Sequence, residues 1–102
     1  MSVVVVATIL PLPEHRDEVI AAIKPVVEQV HAEDGCELYS LNEAPDRLIM
    51  VEKWASSEAL AVHGQGPAVA SLGRALAGKV AGRTEVIVLQ PVPAGDATKG
   101  QL

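Results

Sequence analysis

Residues 36–54 read CELYSLNEAPDRLIMVEKW and carry the clearest supersecondary signal in the chain. Two strand candidates, residues 36–43 and 48–54, flank the four residues Ala-Pro-Asp-Arg. Pro followed by Asp is common in turns, because Pro presets its φ angle and Asp can hydrogen-bond the backbone that follows it. We therefore predict a β-hairpin in this part of the chain.

The residues before the hairpin predict a strand and a helix. Residues 3–10 form a continuous aliphatic run rich in β-branched residues, which indicates a first strand covered on both faces. From about Pro13, apolar residues recur every three or four positions, which is typical of one side of a helix. We expect this helix to end at Asp34-Gly35 and to be kinked, but not broken, at Pro25.

The residues after the hairpin predict two helices and a last strand. Ser56 and the two residues after it cap a short helix that should end near Gly64. Pro67 then begins a longer helix, whose apolar face continues to Val80, and residues 84–89 form a strand. The order β-α-β-β-α-β predicts an α+β fold, the ferredoxin-like split βαβ sandwich. We assign residues 1–91 to this domain and residues 92–102 to a tail, or to an arm on a neighbouring subunit.

Composition excludes several classes of function. The 102 residues suffice for one domain, 49% of them are hydrophobic, and the net charge is −5 without a cluster of Lys and Arg. Nucleic acid and membrane partners are therefore not expected. The apolar run near the start is too short to span a bilayer and lacks the features of a secretory signal, which predicts a cytoplasmic protein. With a single Cys and no metal-ligand spacing, neither a disulfide nor a metal site is expected.

Several residues that could bind or transform a ligand lie close together in the sequence. The chain has no Phe, and its single Trp and Tyr, Trp54 and Tyr39, suggest where a flat apolar ligand could bind. Glu52 and Trp54 point to the same face of a strand, and His63 lies at the apolar border of the short helix. An imidazole there could accept a proton from a phenol. Equally, Trp54 and Tyr39 could simply fill the core, and His63 could serve as a cap or bond Glu52.

These residues carry a resemblance to a known family. Glu33-Asp34-Gly35-Cys36 leads to Tyr39, Glu-x-Trp follows at residues 52–54, and His63 comes nine positions after Trp54. From residue 3 to about 91, the chain resembles the antibiotic biosynthesis monooxygenase domain family. The resemblance implies a homodimeric α+β barrel with a pocket between sheet and helices. Some members of the family oxidise small phenols or quinols with molecular oxygen and without flavin, haem or metal, while others degrade haem or act as isomerases.

The subtypes of this family differ in residues that can be compared with this chain. Haem-degrading members have an Asn on the first strand and a His on the last long helix, where this chain has Ala7 and, near Gly73, no His. Polyketide-oxidising members have an Asn and a Tyr where this chain has Met50 and Leu60. The small quinol-oxidising type agrees better, although many of its members have a His or an aromatic residue at the position of Ala68.

The leading hypothesis is therefore a cofactor-independent monooxygenase that acts on a small quinol or phenol. His63 would be the base, Trp54 would stack on the substrate ring and Glu52 would orient the base. Tyr39, Met50 and Leu60 would contact the substrate. Two alternatives stay open at this point: an isomerase or lyase that uses the same pocket without oxygen, and a non-catalytic ligand-binding dimer.

Overall fold

The fold consists of four strands and three α-helices, and a computed structural model describes all of residues 1–102. In chain order, the elements are β1 Val3–Ile9, a 3-10 turn Pro13–His15, α1 Arg16–His31, β2 Cys36–Ala44, β3 Arg47–Trp54, α2 Ser57–Gly64, α3 Pro67–Leu76 and β4 Glu85–Leu89. No helix is both long enough and apolar enough to cross a membrane.

The four strands form one antiparallel sheet in the order β2-β3-β1-β4. The predicted hairpin is confirmed, because β2 and β3 pair directly and only Pro45 and Asp46 separate them. β3 lies between β1 and β2, so the first βαβ unit is split by the strand that follows it. This arrangement confirms the ferredoxin-like α+β fold.

One face of the sheet carries the core, because side chains alternate between the two faces of each strand. β1 and β3 are in register, so that Val5 lies opposite Glu52 and Ala7 lies opposite Met50. α1 covers this inner face with one buried stripe, and its period of three and four residues matches the pattern in the sequence: Val19, Ile23, Val26 and Val30. Pro25 lies inside α1 on its exposed side, and the helix continues past it.

α3 is shorter than the sequence pattern predicts. It ends at Leu76, and Gly78 adopts a left-handed φ of +77° in the turn that follows. Val80, which continues the apolar period, instead forms an isolated bridge with Pro11. The apolar spacing therefore extends beyond the helix because Val80 packs against the same core from an extended segment.

The other face of the sheet has no helix on it. The prediction that β1 is covered on both faces holds in the single chain only at Val4, which is 3% exposed beside the C-terminal segment, whereas Val6 on the same face is only half-buried. β4 is exposed on both faces: Ile87 keeps 47% and Leu89 keeps 42% of its surface exposed on the side without a helix, and Val86 and Val88 keep 56% and 54% on the inner side. We call the side of the sheet without a helix the outer face; its apolar residues are Val4, Val6, Leu38, Ile49, Val51, Ile87 and Leu89.

Residues 92–102 form neither a helix nor a strand. The Asp96 carboxylate accepts the backbone N–H groups of Thr98 and Lys99, both at 2.9 Å, which closes a local turn. A shallow groove between Val4 and Leu102 shows that this segment returns to the edge of the sheet. Its assignment as a tail or an arm on a neighbouring subunit remains a prediction.

Candidate active site

α2 places His63, and two local features fix the position of this short helix. The hydroxyl of Ser56 accepts the Ala59 N–H at 3.1 Å, as the predicted cap requires. Gly35, with φ +82°, lets the turn after α1 approach α2 closely, because a Cβ at this residue would lie 2.5 Å from the Ala59 Cβ. The turn and the helix therefore meet at a site that only a glycine fits.

His63 lies between two carboxylates. Its imidazole is 6% exposed, and its Nδ1 is 2.8 Å from Oε1 of Glu33, which precedes the turn at Gly35. On the other side, Nε2 lies 4.0 Å from Oε1 of Glu52 on β3. The nearer partner is thus Glu33, whereas the sequence had suggested Glu52 as the residue that contacts His63. The distance to Glu52 is too long for a direct hydrogen bond.

Two aromatic rings enclose the same imidazole. Trp54 is fully buried, its ring centroid lies 4.4 Å from that of His63, and its Nε1–H donates to Glu52 Oε1 at 3.0 Å. Tyr39 meets His63 in an edge-to-face contact with centroids 5.6 Å apart. Tyr39 and Glu52 are also cross-strand partners. We call these five residues the His63 cluster: Glu33, Tyr39, Glu52, Trp54 and His63.

Burial changes the proton affinities of this cluster. Desolvation raises the pKa of Glu52, although the Trp54 hydrogen bond and the positive charge of a protonated His63 act in the opposite direction. Desolvation, with the charges of Glu52 and Glu33, also raises the pKa of Tyr39, so its phenol stays neutral and can donate a hydrogen bond. The pKa of the Cys36 thiol is raised for the same reasons, burial first. His63 is therefore surrounded by groups that can hold or exchange a proton.

The His63 cluster is closed in this conformation. The five principal cavities of the chain are not lined by Glu52, Trp54 or His63. The largest has a volume of about 450 Å³ and follows the edge of β2; its lining is His31, Cys36, Glu37, Leu38, Tyr39 and Ser40. Of the cluster, only Tyr39 borders it. A ligand in this cavity would therefore meet Tyr39 first.

The structure brings together four of the six residues singled out in the sequence: Tyr39, Glu52, Trp54 and His63. Trp54 stacks on the imidazole, so neither face of the indole is open to a substrate in this conformation. Met50 is 1% exposed and packs in the core.

Leu60, on α2, is half-buried against the core. Neither Met50 nor Leu60 lines a principal cavity.

Glu33 is the functional candidate that sequence reasoning missed. It was noted as part of the Glu-Asp-Gly-Cys turn, but no role was assigned to it. The signal in the sequence was the acidic residue Glu33 just before the Asp34-Gly35 turn. Because this turn approaches α2, such a residue is well placed to contact a side chain of that helix. Its partner lies 30 residues away in the chain, so no local pattern identifies the pair.

Comparison with known proteins places this geometry in a family. The antibiotic biosynthesis monooxygenase family model matches residues 2–74. The chain is 34% identical over 67 residues to "Putative monooxygenase Rv0793" of Mycobacterium tuberculosis, a match that covers 64% of this chain and 66% of that protein, just under two thirds of its length.

Solved structures agree with this match. The structure of Rv0793 aligns with a TM-score of 0.85 and 26% identity, covering 94% of this chain and 100% of that one. A conserved protein from Methanosarcina mazei aligns with a TM-score of 0.82 over 88% of this chain and 92% of its own, and its 24% identity supports the fold alone. The family model spans most of the folded domain, including Glu33, Trp54 and His63. The chain therefore belongs to the antibiotic biosynthesis monooxygenase family.

Proposed function

We propose that this protein is a monooxygenase that oxidises a small quinol or phenol with molecular oxygen and needs no prosthetic group. The observation that carries the proposal is the buried His63 imidazole, which lies within 2.8 Å of one carboxylate and 4.0 Å of another. A positioned imidazole is well suited to accept a phenolic proton near neutral pH. Membership of the antibiotic biosynthesis monooxygenase family supports a reaction of the deprotonated substrate with oxygen.

The substrate supplies all the electrons in this reaction. His63 accepts a phenolic proton, and the resulting phenolate is electron-rich enough to react with dioxygen. One oxygen atom enters the ring and the other leaves as water, so that a quinol and dioxygen yield a hydroxyquinone and water. The four electrons that reduce dioxygen all come from the quinol. The protein contributes deprotonation, positioning and exclusion of bulk water.

The closed cluster determines how the other residues take part. Glu52 accepts the indole N–H of Trp54 and faces Nε2 of His63, while the indole stacks on the imidazole. Glu52 and Trp54 therefore orient the base. Tyr39 borders both the cluster and the cavity of about 450 Å³, a size typical of small-molecule sites. We therefore place Tyr39 at the substrate. Met50 is assigned to packing because contact with a ligand would require the core to open.

The test is oxygen uptake by metal-stripped protein. The protein is incubated with each of a panel of reduced naphthoquinones and naphthols under isotope-labelled dioxygen, and the masses of the products are measured by mass spectrometry. We expect uptake with at least one substrate and one labelled atom in its product. Conversion of a substrate that proceeds equally well without oxygen would contradict the proposal and favour an isomerase or lyase. Binding without conversion would favour a ligand-binding protein.

We also propose that two copies of the chain pair through the outer face. This face is largely apolar and carries no helix, and Ile87 and Leu89 remain close to half exposed on it. An exposed group of apolar residues can form an interface, and a second copy of the same sheet presents the same kind of surface. A cytoplasmic location belongs to the same proposal, and cell fractionation would check it.

A further inference from the structure

The contact between Glu33 and His63 defines the state of the imidazole. A carboxylate can only accept a hydrogen bond, so if Glu33 is ionised, the 2.8 Å contact of its Oε1 places a proton on Nδ1 of His63. In the neutral ring, Nε2 is then the atom with the free lone pair. Nε2 points to the side of the cluster on which Glu52 lies. Glu33, which lies outside α2, thus determines which nitrogen of the His63 imidazole can act as the base.

One oxygen of Glu33 lies in an unfavourable local environment. Its Oε2 is buried and has no hydrogen-bond partner, although the side chain as a whole is 23% exposed, and an unsatisfied buried polar atom is destabilising. Glu52 lies across His63 and adds a second carboxylate to the same small region. A residue that breaks local rules of stability without a packing benefit is characteristic of a functional site. The hydrogen bond to His63 is the one polar contact of the Glu33 side chain.

We propose that Glu33 is a positioning residue, which holds the His63 ring with its proton on Nδ1 and leaves the lone pair on Nε2, the nitrogen that accepts the substrate proton when the closed cluster opens. Glu33 does not touch the substrate in this account and acts only through His63. The part of this inference that concerns proton transfer from a substrate rests on the proposed function. The state of the ring, in contrast, can be measured without any turnover.

The groups that face His63 from neighbouring elements allow the test to be specific. Besides Glu33, these are Glu52 on β3 and Tyr39 on β2. Neither makes a direct hydrogen bond to the ring, since Glu52 is 4.0 Å away and Tyr39 presents an aromatic edge. Loss of the Glu33 carboxylate should therefore leave Nδ1 without a fixed acceptor, and both neutral tautomers should become populated.

The experiment uses NMR of protein whose histidines carry a magnetic nitrogen isotope. Only three histidines are present, and a His63→Gln variant assigns the signals. In the wild type, we expect neutral His63 to carry its proton on Nδ1. A mixture of both tautomers should appear in Glu33→Ala, which removes the acceptor, and in the similarly sized Glu33→Gln, whose amide can face Nδ1 with either its oxygen or its NH2 group. Asp34→Asn, which removes a charge from the exposed neighbouring residue, should match the wild type.

Turnover provides the second measurement. Glu33→Gln should lower kcat by up to about 10⁴-fold, the loss that follows when the carboxylate that fixes the tautomer of a general-base histidine becomes an amide, with little change in KM. Glu33→Asp, which keeps the carboxylate, should recover part of this loss. A single Nδ1–H tautomer in both Glu33→Ala and Glu33→Gln would overturn the inference, even if the protein proves to be an oxygenase. Absence of any oxygenase activity would overturn the proposed function. The tautomers observed by NMR would still show whether Glu33 fixes the His63 ring.

Discussion

Glu52 shows how one buried side chain can serve chemistry at the expense of stability. Its carboxylate is 5% exposed and is held by the indole N–H of Trp54, yet desolvation still raises its pKa. The pKa in the folded protein is thus higher than in the unfolded chain. The stabilising contribution of this group is complete below the unfolded value and is lost as the pH rises through the folded value.

We predict from this sign that Glu52→Gln is more stable than the wild type at neutral pH. Gln keeps an oxygen that can accept the Trp54 N–H, while the cost of burying a charge disappears. The gain should be present at neutral pH, where Glu52 in the wild type is driven to ionise, and should vanish below the ordinary range of a carboxyl. Urea unfolding at a series of pH values measures it.

The matched control for this stability experiment is Glu58→Gln, which changes an exposed carboxylate on α2. Its stability relative to the wild type should depend little on pH. A Glu52→Gln curve that runs parallel to the wild type at every pH would show that burial does not perturb this carboxyl.

At the scale of elements, the position of α2 depends on Gly35. The turn before β2 and the helix approach so closely that a Cβ would lie 2.5 Å from the Ala59 Cβ. The Gly35 carbonyl also accepts the Ala55 N–H at 2.8 Å, which joins the turn to the segment leading into α2. Displacement of α2 would separate His63 from Glu33, which lies two residues before this glycine.

Gly35→Ala should therefore reduce stability more than Gly78→Ala. Both residues have left-handed φ, +82° and +77°, but a Cβ at Gly78 would meet nothing within 4 Å. The backbone term alone is about 1–2 kcal/mol, and forced overpacking adds about 1–3 kcal/mol. Urea denaturation measures both variants, and equal losses would show that the close approach to Ala59 has no energetic consequence.

The elements were largely predictable because their signals are local. The Pro-Asp turn, the Ser56 cap and the apolar stripe of α1 each act within a few residues. The end of α3 was not predictable from periodicity, because Val80 continues the apolar pattern from an extended segment.

In the site, strand alternation placed Glu52 beside Trp54, whereas the Glu33–His63 contact depends on how two distant segments pack. The closed state of the cluster has the same origin, since no sequence pattern predicts that the imidazole covers the indole.

At the scale of the whole molecule, the outer face is the main feature that a single chain leaves incomplete. We predict that the wild type is a dimer and that Ile87→Lys is a monomer, because a charge on the exposed apolar part of this face, at the edge strand β4, opposes its burial. Light scattering after size-exclusion chromatography gives the mass. Val62→Lys, at a site on α2 with 73% exposure, adds the same charge away from this face and should remain dimeric. Retention of the dimer by Ile87→Lys would place the interface elsewhere.

The most direct test of the function is the effect of removing the imidazole on oxygen uptake. His63→Gln, shown by circular dichroism to keep its secondary structure, is compared with the wild type on the quinol that the wild type oxidises fastest. Loss of a general base typically lowers the rate by about 10²–10⁴-fold, and we predict a decrease in this range. Oxygen uptake at the wild-type rate by the folded variant would contradict the assignment of His63 as the base.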